Sequence, residues 1–147
     1  MLIQSSRFGS IEVQPDDLLL FREGLIGYNH LRHWVLLADE HHPSVAWLQS
    51  VANPQMAIAV VSPRRFVPDY HVRVPRSQLA PLQLNAEAPM FVLSILSKND
   101  GQLTLNLRAP VVLNLQRQLG RQVITSDEQP TQHPIAQLLT VQLRKIA

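Results

Sequence analysis

Hydrophobic and polar residues alternate most strictly between Gln102 and Asn114, QLTLNLRAPVVLN. Leu103, Leu105 and Leu107 take one parity, and Thr104, Asn106 and Arg108 take the other. A period of two sends successive side chains to opposite faces of an extended chain, so this stretch predicts a strand with one apolar and one polar face. Proline has no N–H to give to a ladder and biases the residue before it toward extended geometry, so Ala109-Pro110 is expected to stop the strand. The chain resumes as Val111–Leu113 and ends at Asn114. The pattern thus predicts two short strands bent at Pro110, with Asn106, Arg108 and Asn114 on the polar side. Such a row is either a surface read by a partner or an ordinary solvated face.

The same reading yields strands along the rest of the chain. Leu2-Ile3 and Ile11–Val13 flank Arg7–Ser10 as a hairpin turning at Gly9. Leu18–Phe21 is a continuous apolar run, as in a strand buried on both faces. Arg22–Tyr28 is a loop with two glycines three apart, at least one of which needs a backbone only glycine takes easily. Strands are expected at Trp34–Ala38, Val45–Val51, Met56–Val61, Tyr70–Val74, Met90–Leu96 and Gln122–Thr125. Asp100-Gly101 is a hairpin signal. Ser77 caps one helical turn through Leu79 that Pro81 cuts off. After a polar stretch at 126–134, Ile135, Leu138, Leu139 and Ile146 follow helical spacing, with Pro134 as the first helical residue. Many short strands with Gly, Pro and Asn turns predict a small antiparallel β-barrel with a short C-terminal helix. The expected division is one domain over 1–147, with the barrel in 1–125 and a polar linker and helix in 126–147.

Composition narrows the function classes. The 147 residues suffice for one domain with a real core. There is no cysteine, which removes disulfides, thiolate zinc sites and thiol catalysis. Net charge is only +2, and only Lys98 and Lys145 are lysines. A nucleic-acid binder gathers its cations into patches, and the only adjacent pairs are Arg64-Arg65 and Arg144-Lys145, so direct nucleic-acid binding is not expected. MLIQSSRFG lacks a basic segment followed by a long apolar run, and no apolar stretch approaches the ~20 residues that cross a bilayer. The expectation is a cytoplasmic chain without a membrane partner, monomeric by itself.

No catalytic motif stands out. His30, His33, His41 and His42 lack carboxylate or cysteine partners at metal-site spacing, and they fall in turns. There is no Gly-x-Ser-x-Gly. Glu12, Asp16 and Asp17 are explained by a surface turn. Trp47 alternates with its neighbours on a strand and is expected in the core. Phe66 and Tyr70 flank Val67-Pro68-Asp69 in a proline-bracketed loop beside Arg64-Arg65. Rings on a rigid loop beside arginines suit a protein hot spot; the alternative is that both fold back over the barrel end.

Several segments then combine. They are Arg7-Phe8-Gly9-Ser10-Ile11-Glu12-Val13, Phe21-Arg22-Glu23-Gly24-Leu25-Ile26-Gly27-Tyr28, Trp47-Leu48-Gln49-Ser50-Val51 and Pro63…Phe66-Val67-Pro68-Asp69-Tyr70. Thr104–Asn114 and Gly120-Arg121-Gln122-Val123-Ile124 complete the set. In this order and spacing the chain resembles the flagellar assembly factor FliW family over residues 2 to 125. It departs at Arg22 and Ile26, where the family commonly has proline. The resemblance implies a cytoplasmic, non-enzymatic protein without a cofactor. Such a protein binds flagellin before export and also binds the translational regulator CsrA, relieving repression of flagellin. On that reading Phe66 and Tyr70 are anchors, Asp69 pairs with a cation, Arg108 offers a bidentate fork, and Asn106 and Asn114 line the polar face. The competing reading is a small barrel that binds a ligand of the flavin type.

Overall fold

A computed structural model describes residues 1–135. Its strands are β1 (Leu2–Ser5), β2 (Gly9–Glu12), β3 (Leu18–Leu20), β4 (His33–Ala38), β5 (Val45–Ser50) and β6 (Ala57–Val61), followed by β7 (Phe91–Asn99), β8 (Gln102–Asn114), β9 (Leu119–Gln122) and β10 (His133–Pro134). One helical turn, α1 (Arg76–Leu79), lies between β6 and β7. β1 and β2 form the expected hairpin. The order β8-β7-β6-β5-β4-β3-β9 closes on itself through a β8–β9 pairing, giving a seven-stranded barrel.

Alternation along each strand separates an inner from an outer apolar layer. Inside, Leu19, Phe21, Leu25, Trp34, Leu48, Val60, Val111 and Leu113 pack together, with Phe21 and Trp34 edge to face at 6.4 Å. Each such fully buried side chain contributes roughly 1.5–3 kcal/mol of transfer free energy. Outside, Val45, Val61, Leu105, Leu107 and Ile135 form a second layer under residues 66–72. The N-terminal hairpin is bolted on by a buried hydrogen bond from Ser5 Oγ to Gln49 Oε1 (2.7 Å).

The closing seam is the least regular part. β3 and β9 run parallel and share one register pair, Leu20 with Leu119. Gln118 reinforces it from a left-handed backbone (φ 57°), its carbonyl accepting from Leu20 N–H and its side-chain Nε2 donating to Pro15 O and Leu18 O, each at 2.9 Å.

Five expectations are corrected. β8 is not stopped at Pro110. Only Ser94 of β7 faces residues 107–110, between the pairs Leu93–Val111 and Ile95–Asn106, so no ladder partner lacks the missing N–H, while Pro110 O still accepts from Val123 N–H (3.0 Å). The strand bends here and continues. Tyr70–Val74 is not a strand; these residues lie against the outer layer instead of joining a ladder. The last barrel strand is Leu119–Gln122, earlier than Gln122–Thr125, because the turn after β8 occupies residues 115–118. Pro134 does not begin a helix. It sits in β10 opposite Thr104, on an edge strand where proline costs no ladder bond, and Ile135 N–H donates to Leu103 O (3.0 Å). The expected terminal helix falls on 136–147, outside the described residues. Trp47 is also only half-buried; Trp34 is the core tryptophan.

Candidate functional site

Pro63 starts a 3-10 turn through Arg65, and Phe66 N–H and Val67 N–H both donate back to Pro63 O. Arg64 then clips the loop shut, with Nε donating to Tyr70 O and a terminal nitrogen meeting His71 Nδ1, each at 2.9 Å. Arg64 is therefore a brace of the loop. Phe66 is half-buried against the outer layer, and Asp69 is exposed.

Tyr70 is 4% exposed, so its ring is not a free anchor. Its hydroxyl donates to Leu107 O at 2.6 Å, which ties the loop to the bend of β8. Burial, followed by the charge of Asp127, pushes its pKa up to about 12. Asp127 itself is held below the usual carboxylate range chiefly by a hydrogen bond from Gln129 Nε2 (2.8 Å).

The bend has its own device. Asn106 Oδ1 accepts from the N–H groups of Arg108 (3.1 Å) and Ala109 (3.0 Å), an Asx-type turn built into the strand. That leaves the Arg108 side chain exposed, while its carbonyl accepts from Thr125 N–H (2.9 Å). The polar row is thus not uniformly solvated: Thr104 is buried, Asn106 is half-buried and Arg108 is open. Asn114 is fully buried, with Nδ2 on Leu82 O (2.8 Å) and Oδ1 capping Gln116 N–H and Arg117 N–H. It is a corner post, away from the others.

The structure therefore brings Phe66, Tyr70, Asn106 and Arg108 around one junction, where the loop crosses the bend, with Asp69 on the loop's rim. It adds two residues that sequence reasoning missed. Met90 and Phe91, at the entry to β7, are 38% and 40% exposed and border a hollow of about 220 Å³ with Pro63, Arg64, Tyr70 and Val72. Within the run MFVLSIL nothing distinguishes an apolar residue that stays outside from one that goes in. The arrangement offers the exposed side chains of Phe91 and Met90, the half-buried ring of Phe66, the Asp69 carboxylate and the Arg108 guanidinium on a braced frame, which suits contact with a protein.

The remaining candidates are dispersed. Glu12 pairs with the N-terminus (2.8 Å), and Asp17 accepts from Gln14 N–H (2.8 Å). His30, His33 and His41 are exposed, and His42 pairs with Asp39 (2.9 Å). Among the described residues no three His, Asp or Glu side chains converge to hold an ion. No helix among them is long and apolar enough to cross a membrane.

Comparison with known proteins gives one result throughout. The family model described as FliW protein matches residues 2–135. A flagellar assembly factor FliW from Bdellovibrio bacteriovorus is 38% identical over 129 residues, covering 86% of this chain and 74% of that one. Another, from Thermoanaerobacter pseudethanolicus, is 30% identical and covers 95% of each chain. The crystal structure of a flagellar assembly factor FliW superposes with a TM-score of 0.83 at 29% identity, covering 91% of this chain and 96% of the other.

Proposed function

Because this chain belongs to the FliW family of flagellar assembly factors, we propose that it is a non-enzymatic cytoplasmic regulator that binds flagellin and, alternatively, the translational regulator CsrA. Free protein would hold CsrA off flagellin messages. Unexported flagellin would occupy the protein and release CsrA, so that flagellin synthesis follows secretion. The observation that carries this reading is the family match over residues 2–135. The surface supports it: Phe66, Met90 and Phe91 are available as apolar contacts, and Asp69 and Arg108 as exposed charges. Tyr70 and Asn106 support that surface from below, through the bonds to Leu107 and within the bend, while Asn114 holds a separate corner at Leu82.

Calorimetric titration with purified flagellin and, separately, with CsrA tests the reading. Both should bind. Arg108→Ala should weaken at least one of them by more than about 1 kcal/mol, the threshold of a meaningful interface residue. Loss below that value for both partners, in Arg108→Ala and in Phe91→Ala alike, would remove this face from the interface. No binding to either protein would remove the function.

A further inference from the structure

The barrel is laced at only one end of the β6–β7 seam. β6 pairs with β5 from Ala57 to Val61, and β7 pairs with β8 as far as Asn99. Between β6 and β7 the only register pairs are Val60–Ile95 and Val61–Ser94. Beyond them, Ala57–Ala59 and Leu96–Asn99 each have a partner strand on one side alone. The neighbouring bonds show where their backbone groups point. Ser50 N–H donates to Met56 O (2.9 Å), so Met56 addresses β5 and Ala57, next along the strand, addresses β7. Ile135 N–H donates to Leu103 O (3.0 Å), so Leu103 faces away from β7. Lys98, opposite Leu103, therefore faces away from β8 and toward β6. Ala57 and Lys98 turn N–H and C=O into one gap, and no ladder among the described residues spans it.

A cleft of about 550 Å³ occupies this gap. Consecutive residues line it, Ala57, Ile58 and Ala59 from β6 and Ile95, Leu96 and Ser97 from β7. A hollow over one face of a sheet meets alternate residues, whereas a slot between two strands meets all of them. Ile58 and Ile95 pack on the inner apolar layer, and Ala59, Leu96, Leu103 and Trp47 on the outer one, so the walls are apolar through their depth. Charge at the rim is free in one sign only. The Asp39 carboxylate is occupied by hydrogen bonds from Trp47 Nε1 (2.8 Å) and from the N–H groups of His41 and His42. The Arg7 guanidinium lies 4.1 Å above the Trp47 ring, and neither it nor exposed Lys98 has a carboxylate partner among the described residues. Open main-chain groups, apolar walls and unpaired cations are what an extended peptide with acidic flanks requires.

We propose that this slot receives an extended, acid-flanked apolar segment of a partner protein, which adds as a strand between β6 and β7. It lies at the other end of β7 from Met90 and Phe91, so it is a second contact surface, separate from the junction described above. The probe is a synthetic heptapeptide of alternating valine and threonine with a glutamate at each end, acetylated and amidated. Titrated into the full chain, it should shift the amide NMR signals of Ala57 and Lys98 and slow their hydrogen exchange about tenfold at roughly ten times its Kd. N-methylation of alternate peptide residues strips the donors from one side and should abolish binding, because main-chain bonds supply the affinity. Lysine in place of the peptide's glutamates should weaken binding about fivefold, and the exposed substitution Lys98→Glu should remove that preference. No change at about 1 mM peptide, equal binding by the methylated peptide, or a charge preference that Lys98→Glu leaves intact would each overturn the proposal. So would slow exchange of both amides in the free chain, and protection lost on dilution would assign the slot to a second copy instead. None of these outcomes involves flagellin or CsrA, so the function proposed above stands or falls separately.

Discussion

Tyr70 shows how one side chain can carry a surface without being exposed on it. Its hydroxyl fills the Leu107 carbonyl (2.6 Å) and so fixes the loop against the β8 bend. Tyr70→Phe leaves that carbonyl unpaired in an apolar layer and should destabilise the fold by about 1–2 kcal/mol, read as a fall in the denaturation midpoint. The pH dependence has a definite sign. The folded state holds the phenol proton to about 12, against 10.0 for a free tyrosine. This contribution is therefore complete below pH 10 and is lost as pH rises through 12. In a Tyr28→Phe background the single remaining phenol should ionise near 12 by ultraviolet absorbance and return toward 10 in urea. At this scale the sequence revealed that Phe66 and Tyr70 belong to a stiff loop next to arginines. It did not reveal which ring points in, because that depends on a carbonyl 37 positions away. Asn114 misled for the same reason: a polar residue ending an apolar strand looks solvated until the Leu82 carbonyl is found beside it.

Among the elements, most strands were legible because each carries its own apolar run and turn signal. The Asp100-Gly101 hairpin formed as expected, both residues at positive φ. The seam was not legible. β9 is set by contacts from distant segments, and its Gly120 has no side chain to enter a pattern. Yet that glycine is required. A Cβ there would lie inside van der Waals contact of the Phe21 ring, which is wholly buried against Trp34. Gly120→Ala forces a core ring to move and should cost about 1–3 kcal/mol, as overpacking generally does. A thermal melt checks it, and an unchanged midpoint would mean that the core is looser than described. Gly24 is fixed by both tests at once, since φ is +66° and a Cβ would fall 2.6 Å from Asn29 Cα. Proline was overread: Pro110 lies inside a strand because the bend leaves its nitrogen with no partner to satisfy.

At the scale of the whole molecule, the family was legible from the order and spacing of segments. The proposed contact surface was not, because Met90 and Phe91 border the hollow only once the loop folds beside them. A net charge of +2 gives the molecule little long-range steering, so the specificity proposed here has to come from contact. On the proposed function, flagellin and CsrA draw on one pool of this protein. The most direct measurement is a calorimetric titration of CsrA into the protein already saturated with flagellin, beside the same titration into free protein. Saturation with flagellin should abolish CsrA binding or weaken it in step with flagellin concentration. An unchanged CsrA isotherm would contradict it, because two independent sites cannot make translation follow secretion.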